Sequence, residues 1–160
     1  MKRYLPLFVI LALTMLAATA KQLDGGVLGG ILWGSWMHDF MGFFLLVFAM
    51  LKLFDIDGFA TGFARYDFLA SRSRLYGRLF PFIELALGLA YLAHWQPTIT
   101  YIVTIIVFGF STLGVVVALK KGLNVNCACL GTTLNVPLST VAIVEDLGMV
   151  IMAVAMLILP

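Results

Sequence analysis

Five long apolar stretches separated by short polar breaks leave this chain little choice of fold. They run from Leu5 to Ala20, Phe40 to Phe54, Leu79 to Trp95, Thr98 to Leu119 and Ser139 to Leu159. A helix needs about 20 mostly apolar residues to cross the hydrocarbon of a bilayer, and fewer when its flanks reach the headgroups. With 62% hydrophobic and 11% charged residues and a mean hydropathy of +1.07, no segment has the composition of a soluble domain. The expected fold is therefore all-α, a polytopic membrane helix bundle of four core transmembrane helices plus an N-terminal helix. At 160 residues there is room for that bundle and for no separate catalytic domain.

The first stretch has two readings. Lys2-Arg3, the apolar run and Ala18-Thr19-Ala20 suit a retained helix, and they also make the basic region, apolar region and small-residue cleavage site of a secretory signal. Both deliver Lys21 to the outer face. Residues 1–39 are accordingly read as a transmembrane or signal-like segment with an outer loop, and residues 40–160 as the four-helix membrane domain. Lys2, Arg3, Lys52, Arg65, Arg72, Arg74, Arg78, Lys120 and Lys121 fall on one side of the alternating spans, against Lys21 on the other. The positive-inside rule makes the first side cytoplasmic, in a bacterial-type inner (plasma) membrane crossed several times. The net charge of +2 is small and its basic residues form no aromatic-interleaved surface, so the lipid bilayer is an expected partner and nucleic acid is not.

Lys52, near the end of the second stretch, is expected to reach the headgroups. From Asp55 to Arg78, Phe59, Phe63, Tyr66, Phe68 and Leu69 alternate with Arg65, Asp67, Arg72 and Arg74, as in an interfacial helix lying on the cytoplasmic leaflet. Gly88, Ala90, Gly109, Ser111, Gly114, Gly148 and Ala153 are small enough to let helices approach closely in lipid.

Two cysteines are the entire thiol content, and they stand as Cys127-Ala128-Cys129 between the last two spans. One intervening residue lets two thiolates converge on a soft metal ion, or lets two sulfurs close a small, readily reduced disulfide ring. The flanking Gly122-Leu123-Asn124-Val125-Asn126 and Gly131-Thr132-Thr133 are turn formers, and Lys120-Lys121 upstream favour the thiolate. Two cysteines buried as ordinary small apolar residues are the bland alternative.

Carboxylates inside a membrane are functional candidates by default. Glu84 lies six residues beyond Arg78 and Glu145 six beyond Ser139, so each is about 9 Å inside its helix from the cytoplasmic side. Glu84, Glu145 and Asp146 are expected in one layer beneath the cysteine loop, placed to accept and release the protons of thiol chemistry. Their bland alternative is that they are protonated, or paired with Lys52, Arg78 or Lys120 at the interface, and serve packing. His38, Asp39 and His94 belong to the opposite end with Trp33, Trp36 and Trp95, where interfacial anchoring explains them and where they are too far from the cysteines for a shared metal site.

The segment Arg78-Leu79-Phe80-Pro81-Phe82-Ile83-Glu84-Leu85-Ala86-Leu87-Gly88, with Cys127-Ala128-Cys129-Leu130-Gly131 and a closing helix, resembles the MauE/DoxX group of redox-associated membrane proteins from about Phe40 onward. That group has a Pro-x-x-Glu-Leu-x-x-Gly segment and a Cys-x-Cys-Phe-Gly-like loop, with Leu130 here replacing the aromatic residue. The resemblance implies a four-helix membrane core that takes part in disulfide formation in a partner protein, as inferred for methylamine dehydrogenase maturation, with Cys127 and Cys129 as the redox pair and Glu84 as a motif position of undefined role.

The leading expectation is a membrane thiol–disulfide redox protein. Cys127 and Cys129 cycle between dithiol and disulfide against a thioredoxin-like or glutaredoxin-like partner or a maturing client, while Glu84 and Glu145 manage protons. A membrane quinone is one electron acceptor with suitable chemistry. Two alternatives stand beside it: a soft-metal (copper or mercury) binding or transport protein with Cys127 and Cys129 as the metal ligands, and a non-catalytic scaffold of a maturation complex. If the thiols turn over, the chain is a thiol–disulfide oxidoreductase. No nucleotide loop, Ser/His/Asp constellation or metalloenzyme helix motif offers another enzyme class.

Overall fold

The computed structural model describes residues 5–24, 33–65, 67–120 and 138–158, and every element among them is helical. The helices are α1 (Leu5–Asp24), α2 (Trp33–Phe54), α3 (Ile56–Phe63), α4 (Phe68–Arg72), α5 (Arg74–Leu92), α6 (Pro97–Lys120) and α7 (Leu138–Ile158). By length and composition α2, α5 and Pro97–Ala118 of α6 suffice to cross a membrane, and Leu7–Leu23 of α1 is a shorter apolar helix. At about 1.5 Å per residue, the 22 residues of α2 span roughly 33 Å. The protein is an all-α, multi-pass membrane bundle. Phe8, Leu16, Ile106, Phe110 and Ile151 are exposed large apolar side chains, the face such a bundle turns to lipid.

The bundle has two parts. α2 packs mainly on α5, with α1 against α2, and α6 packs mainly on α7; the two groups meet along a narrow seam. α2 and α5 approach closely because both are glycine where they cross. A Cβ on Gly88 would lie 3.2 Å from the Gly42 carbonyl oxygen, and one on Gly42 would meet Leu92 Cγ at 2.6 Å. Higher numbers on α2 face lower ones on α5, so the pair is antiparallel and its register is fixed at this crossing. Along the buried face of α2, Phe40, Phe44 and Phe48 contact one another at centroid separations of 5.8 and 4.6 Å. Ala153 is buried as close packing requires, whereas Gly109 and Gly148 face open space and bring no helices together.

Several expectations change. The second span begins at Trp33, seven residues before Phe40, because His38 and Asp39, which interrupt its hydropathy, are buried within the helix. The Asp55 to Arg78 segment is not one interfacial helix. It breaks into α3, α4 and the start of α5, since Asp55, Asp67 and Ser73 each cap a new helix by accepting a backbone N–H two or three residues on. Gly58 packs closely at the first cap: a Cβ there would sit 2.2 Å from the Asp55 carboxylate, which would have to shift. Phe59 and Phe63 turn inward and pack on Phe80, so this segment closes the bundle floor. Burial pushes the Asp67 carboxyl above the usual range, against the Leu69 and Ala70 N–H groups that hold it down. Arg78 forms an exposed pair with Asp57 at 2.7 Å rather than turning inward to an acid.

Candidate functional site

The floor of the bundle holds a charged centre. Lys52 does not reach for the headgroups; its side chain is 1% exposed and its Nζ stands 2.7 Å from Glu84 Oε2 and 2.6 Å from Glu145 Oε1, with both acid side chains at 0%. Three helices therefore converge on one ammonium. α2 contributes the cation from its last turn, α5 contributes Glu84 three residues after Pro81, and α7 contributes Glu145 in its second turn. Pro81 lacks an N–H and so leaves the Gly77 carbonyl without its usual helical donor. Gly77 itself packs its bare Cα side on Ala60 of α3.

Aromatic rings complete the surroundings of the ammonium. Phe48, Phe59 and Phe80 have ring centroids 5.8, 5.5 and 5.4 Å from Lys52 Nζ, within reach of cation–π attraction. The inward turn of α3 thus has an electrostatic use, because Phe59 comes from the segment expected to lie flat on lipid. Glu84 Oε2 and Glu145 Oε1 both lie within 2.7 Å of the same Nζ, which makes the two carboxyl groups neighbours. As carboxylates, their outer oxygens, Glu84 Oε1 and Glu145 Oε2, are buried without a hydrogen-bond partner among the described residues. Asp146, next along α7, turns to the other side and accepts a 2.6 Å hydrogen bond from Ser111 Oγ of α6.

A second polar centre lies toward the opposite end of the same seam. His38 Nδ1 faces the Tyr91 carbonyl oxygen at 3.4 Å, its Nε2 pairs with the Tyr101 hydroxyl, and its ring stacks on His94 at 4.7 Å between centroids. Tyr91 donates to Thr104 Oγ1 at 3.1 Å, and the Thr104 hydroxyl donates to the Thr100 carbonyl at 2.8 Å. Asp39 binds Lys21 of α1 at 2.6 Å. His38 and Asp39 are thus interior groups that tie helices together, while Trp33 and Trp95 remain exposed as the expected belt. His94, at φ 51°, reaches the stack from the tight turn between α5 and α6.

Of the residues singled out in the sequence, Glu84 and Glu145 come together and Asp146 shares their level without joining the ion pair. Cys127 and Cys129 lie outside the described residues. Lys52 as the shared partner was one of three cations the sequence allowed; Tyr91, Tyr101 and Thr104 went unmarked, and Ser111 was marked only as a small packing residue. Spacing carries a signal for them: Glu84 and Tyr91, and Thr104 and Ser111, are seven residues apart, and His38 and Lys52 fourteen, which puts each pair on one helix face. Among the described residues, no group of three or more His, Cys, Asp or Glu side chains is arranged to hold a metal ion.

Residues 31–159 match the family described as Methylamine utilisation protein MauE. The match takes in α2 to α7 entire and begins before the Phe40 boundary suggested by the motifs. Among curated proteins and among solved structures, none matches the chain.

Proposed function

The chain belongs to the MauE family, and from that premise we propose that it is a bacterial inner-membrane protein supporting maturation of a client protein by thiol–disulfide exchange through Cys127 and Cys129. The exchange partner is the client itself or a thioredoxin-like or glutaredoxin-like protein. The observation that supports this most is the convergence of Lys52, Glu84 and Glu145 beneath the end of the bundle where the 121–137 connection leaves α6 and enters α7. Glu145 follows the start of α7 by seven residues, or about 10 Å of helix. An acid–base centre at that depth is the equipment thiol exchange needs and a packed lipid-facing bundle does not.

One exchange balances between the two partners, and restoring the Cys127–Cys129 disulfide afterwards takes a two-electron acceptor, for which a membrane quinone has suitable chemistry. A partner thiolate attacks one sulfur of a Cys127–Cys129 disulfide, forming a mixed disulfide and releasing the other sulfur as a thiolate. The partner's second thiolate then attacks the mixed disulfide and frees the remaining cysteine. Two electrons pass from the partner dithiol to this pair, and two protons pass from the partner thiols to the Cys127 and Cys129 thiols, with Glu84 and Glu145 as acid–base carriers. By the positive-inside rule the cysteine loop faces the cytoplasm, which favours a cytoplasmic thioredoxin-like partner.

Cys127→Ser and Cys129→Ser should each abolish oxidation of a dithiol-bearing partner, measured as loss of the partner's alkylatable thiols on a non-reducing gel; full oxidation by either single variant would overturn the reading. Alkylation in intact cells should label both cysteines only after reduction, as a resting disulfide requires; two labels without reduction would mean resting thiols. Retention of tight Cu(I) or Hg(II) under reducing conditions, lost in the double serine variant, would instead assign the pair to soft-metal binding.

A further inference from the structure

Two carboxylates on one ammonium leave a net negative charge at a site where all three side chains are 0–1% exposed. An uncompensated charge there is costly, and the structure shows where compensation fits. Each acid gives one oxygen to Lys52 and keeps the other buried without a donor among the described residues, and the two carboxyl groups adjoin at the shared Nζ. We propose that Glu84 and Glu145 together bind one exchangeable proton, held as a carboxyl–carboxylate hydrogen bond beside the Lys52 ammonium. The proton supplies the missing donor and makes the centre neutral. The ligand is a proton and not a metal cation, because Lys52 already occupies the position a cation would take.

The charged and titratable groups facing this pair come from every neighbouring element. Lys52 faces it from α2 and Asp146, held by Ser111 of α6, adjoins it on α7, while Tyr76 of α5 and Asp67 at the start of α4 stand farther off, on the Asp146 side. The site lies on the seam, and Lys52–Glu145 is one of its few links between α2 and α7. Its proton is therefore also the group that lets two acids from different helix groups share one cation. The inference uses the acids of the thiol reading and does not depend on its thiols.

The test is made on the full chain in lipid nanodiscs, in the Cys127→Ser/Cys129→Ser background as well as the natural one. Infrared difference spectra in an Asp146→Asn background should show a protonated-carboxyl stretch that shifts in D2O. Glu84→Gln and Glu145→Gln should each abolish that band, since each leaves one carboxylate for one ammonium; both variants keep an ion pair on Lys52 and should fold. Dicyclohexylcarbodiimide, which modifies protonated carboxyls in apolar surroundings, should label Glu84 or Glu145 once per chain with Asp146 intact. A band that survives in both single variants, the absence of any such band, or labelling confined to Asp146 would overturn the proposal. Loss of thiol exchange in the double serine variant with the band intact would leave the proton site standing on its own. A band that vanished with the cysteines would overturn its independence from them.

Discussion

The two polar centres on the seam solve the same problem, joining α2 and α5 to the α6–α7 hairpin, by opposite means. Near the bundle floor the joint is ionic: an ammonium shared by two carboxylates and enclosed by phenylalanine. Toward the other end it is a chain of nominally neutral hydrogen bonds, His38 to Tyr101 and Tyr91 to Thr104, with Lys21–Asp39 at its margin. Leu45 of α2, fully buried, lies seven residues from each of His38 and Lys52 and separates the two levels. Removing Lys52 from the first centre strands buried charge. Removing a member of the second centre's His–Tyr–Thr hydrogen bonds leaves an unpaired hydroxyl or ring nitrogen. The lesson is that depth alone does not rank polar residues in a membrane bundle; what remains when the partner is deleted does.

That difference can be broken most sharply at Lys52. Lys52→Met leaves two buried acids without their cation and should cost about 3–5 kcal/mol, seen as a large drop in unfolding temperature in nanodiscs. Combining it with Glu84→Gln and Glu145→Gln removes every charge and should recover most of the loss; if the triple variant is no more stable than Lys52→Met, charge is not what makes this centre costly to disturb. Next comes the crossing that sets its register. Gly42→Ala forces Leu92 and the Gly88 carbonyl aside and should cost about 1–3 kcal/mol, while Gly109→Ala, facing open space, should not destabilise. At the opposite centre Tyr101→Phe deletes one hydrogen bond and should cost about 1 kcal/mol; a loss as large as that of Lys52→Met would erase the distinction between the two centres. The smallest effect belongs to Asp67. Its carboxyl is raised in the folded protein, so its share of stability is full below the unfolded value near 3.8 and declines as pH rises through the folded one. Asp67→Asn keeps the cap without that pH dependence and should change stability at neutral pH by less than about 0.5 kcal/mol, whereas Asp67→Ala should cost about 1 kcal/mol.

How much of this was legible in the sequence varies with the kind of signal. The spans were, because lipid imposes a run of apolar residues that few other environments demand. So was the level shared by Glu84 and Glu145, since helix rise and a common side of the membrane fix depth without knowledge of packing. Rotation about each helix axis was not. Lys52 near a helix end has both a wet and a dry solution, and the dry one needs Phe59 to fold inward from α3, which depends on three successive caps. His38 and Asp39 looked like the end of a span for the same reason: hydropathy registers their polarity and cannot register Tyr101 and Lys21 as partners more than sixty and eighteen positions away.

The sequence separations inside the ionic centre have a consequence for how the protein is made. Lys52 leaves the ribosome 32 residues before Glu84 and 93 before Glu145. A lone lysine at the centre of an inserting segment costs about 2.5–3.5 kcal/mol, less toward its end, so α2 is a poor passenger until α5 follows it out of the translocon. The chain then holds a balanced one-to-one pair and can rest in the membrane as a half-built bundle. When α7 arrives it brings a second acid to a cation already satisfied. Arrival of α7 is therefore the moment at which the centre has to take up its proton, and its assembly becomes a step that depends on the acidity of the compartment it is inserted from.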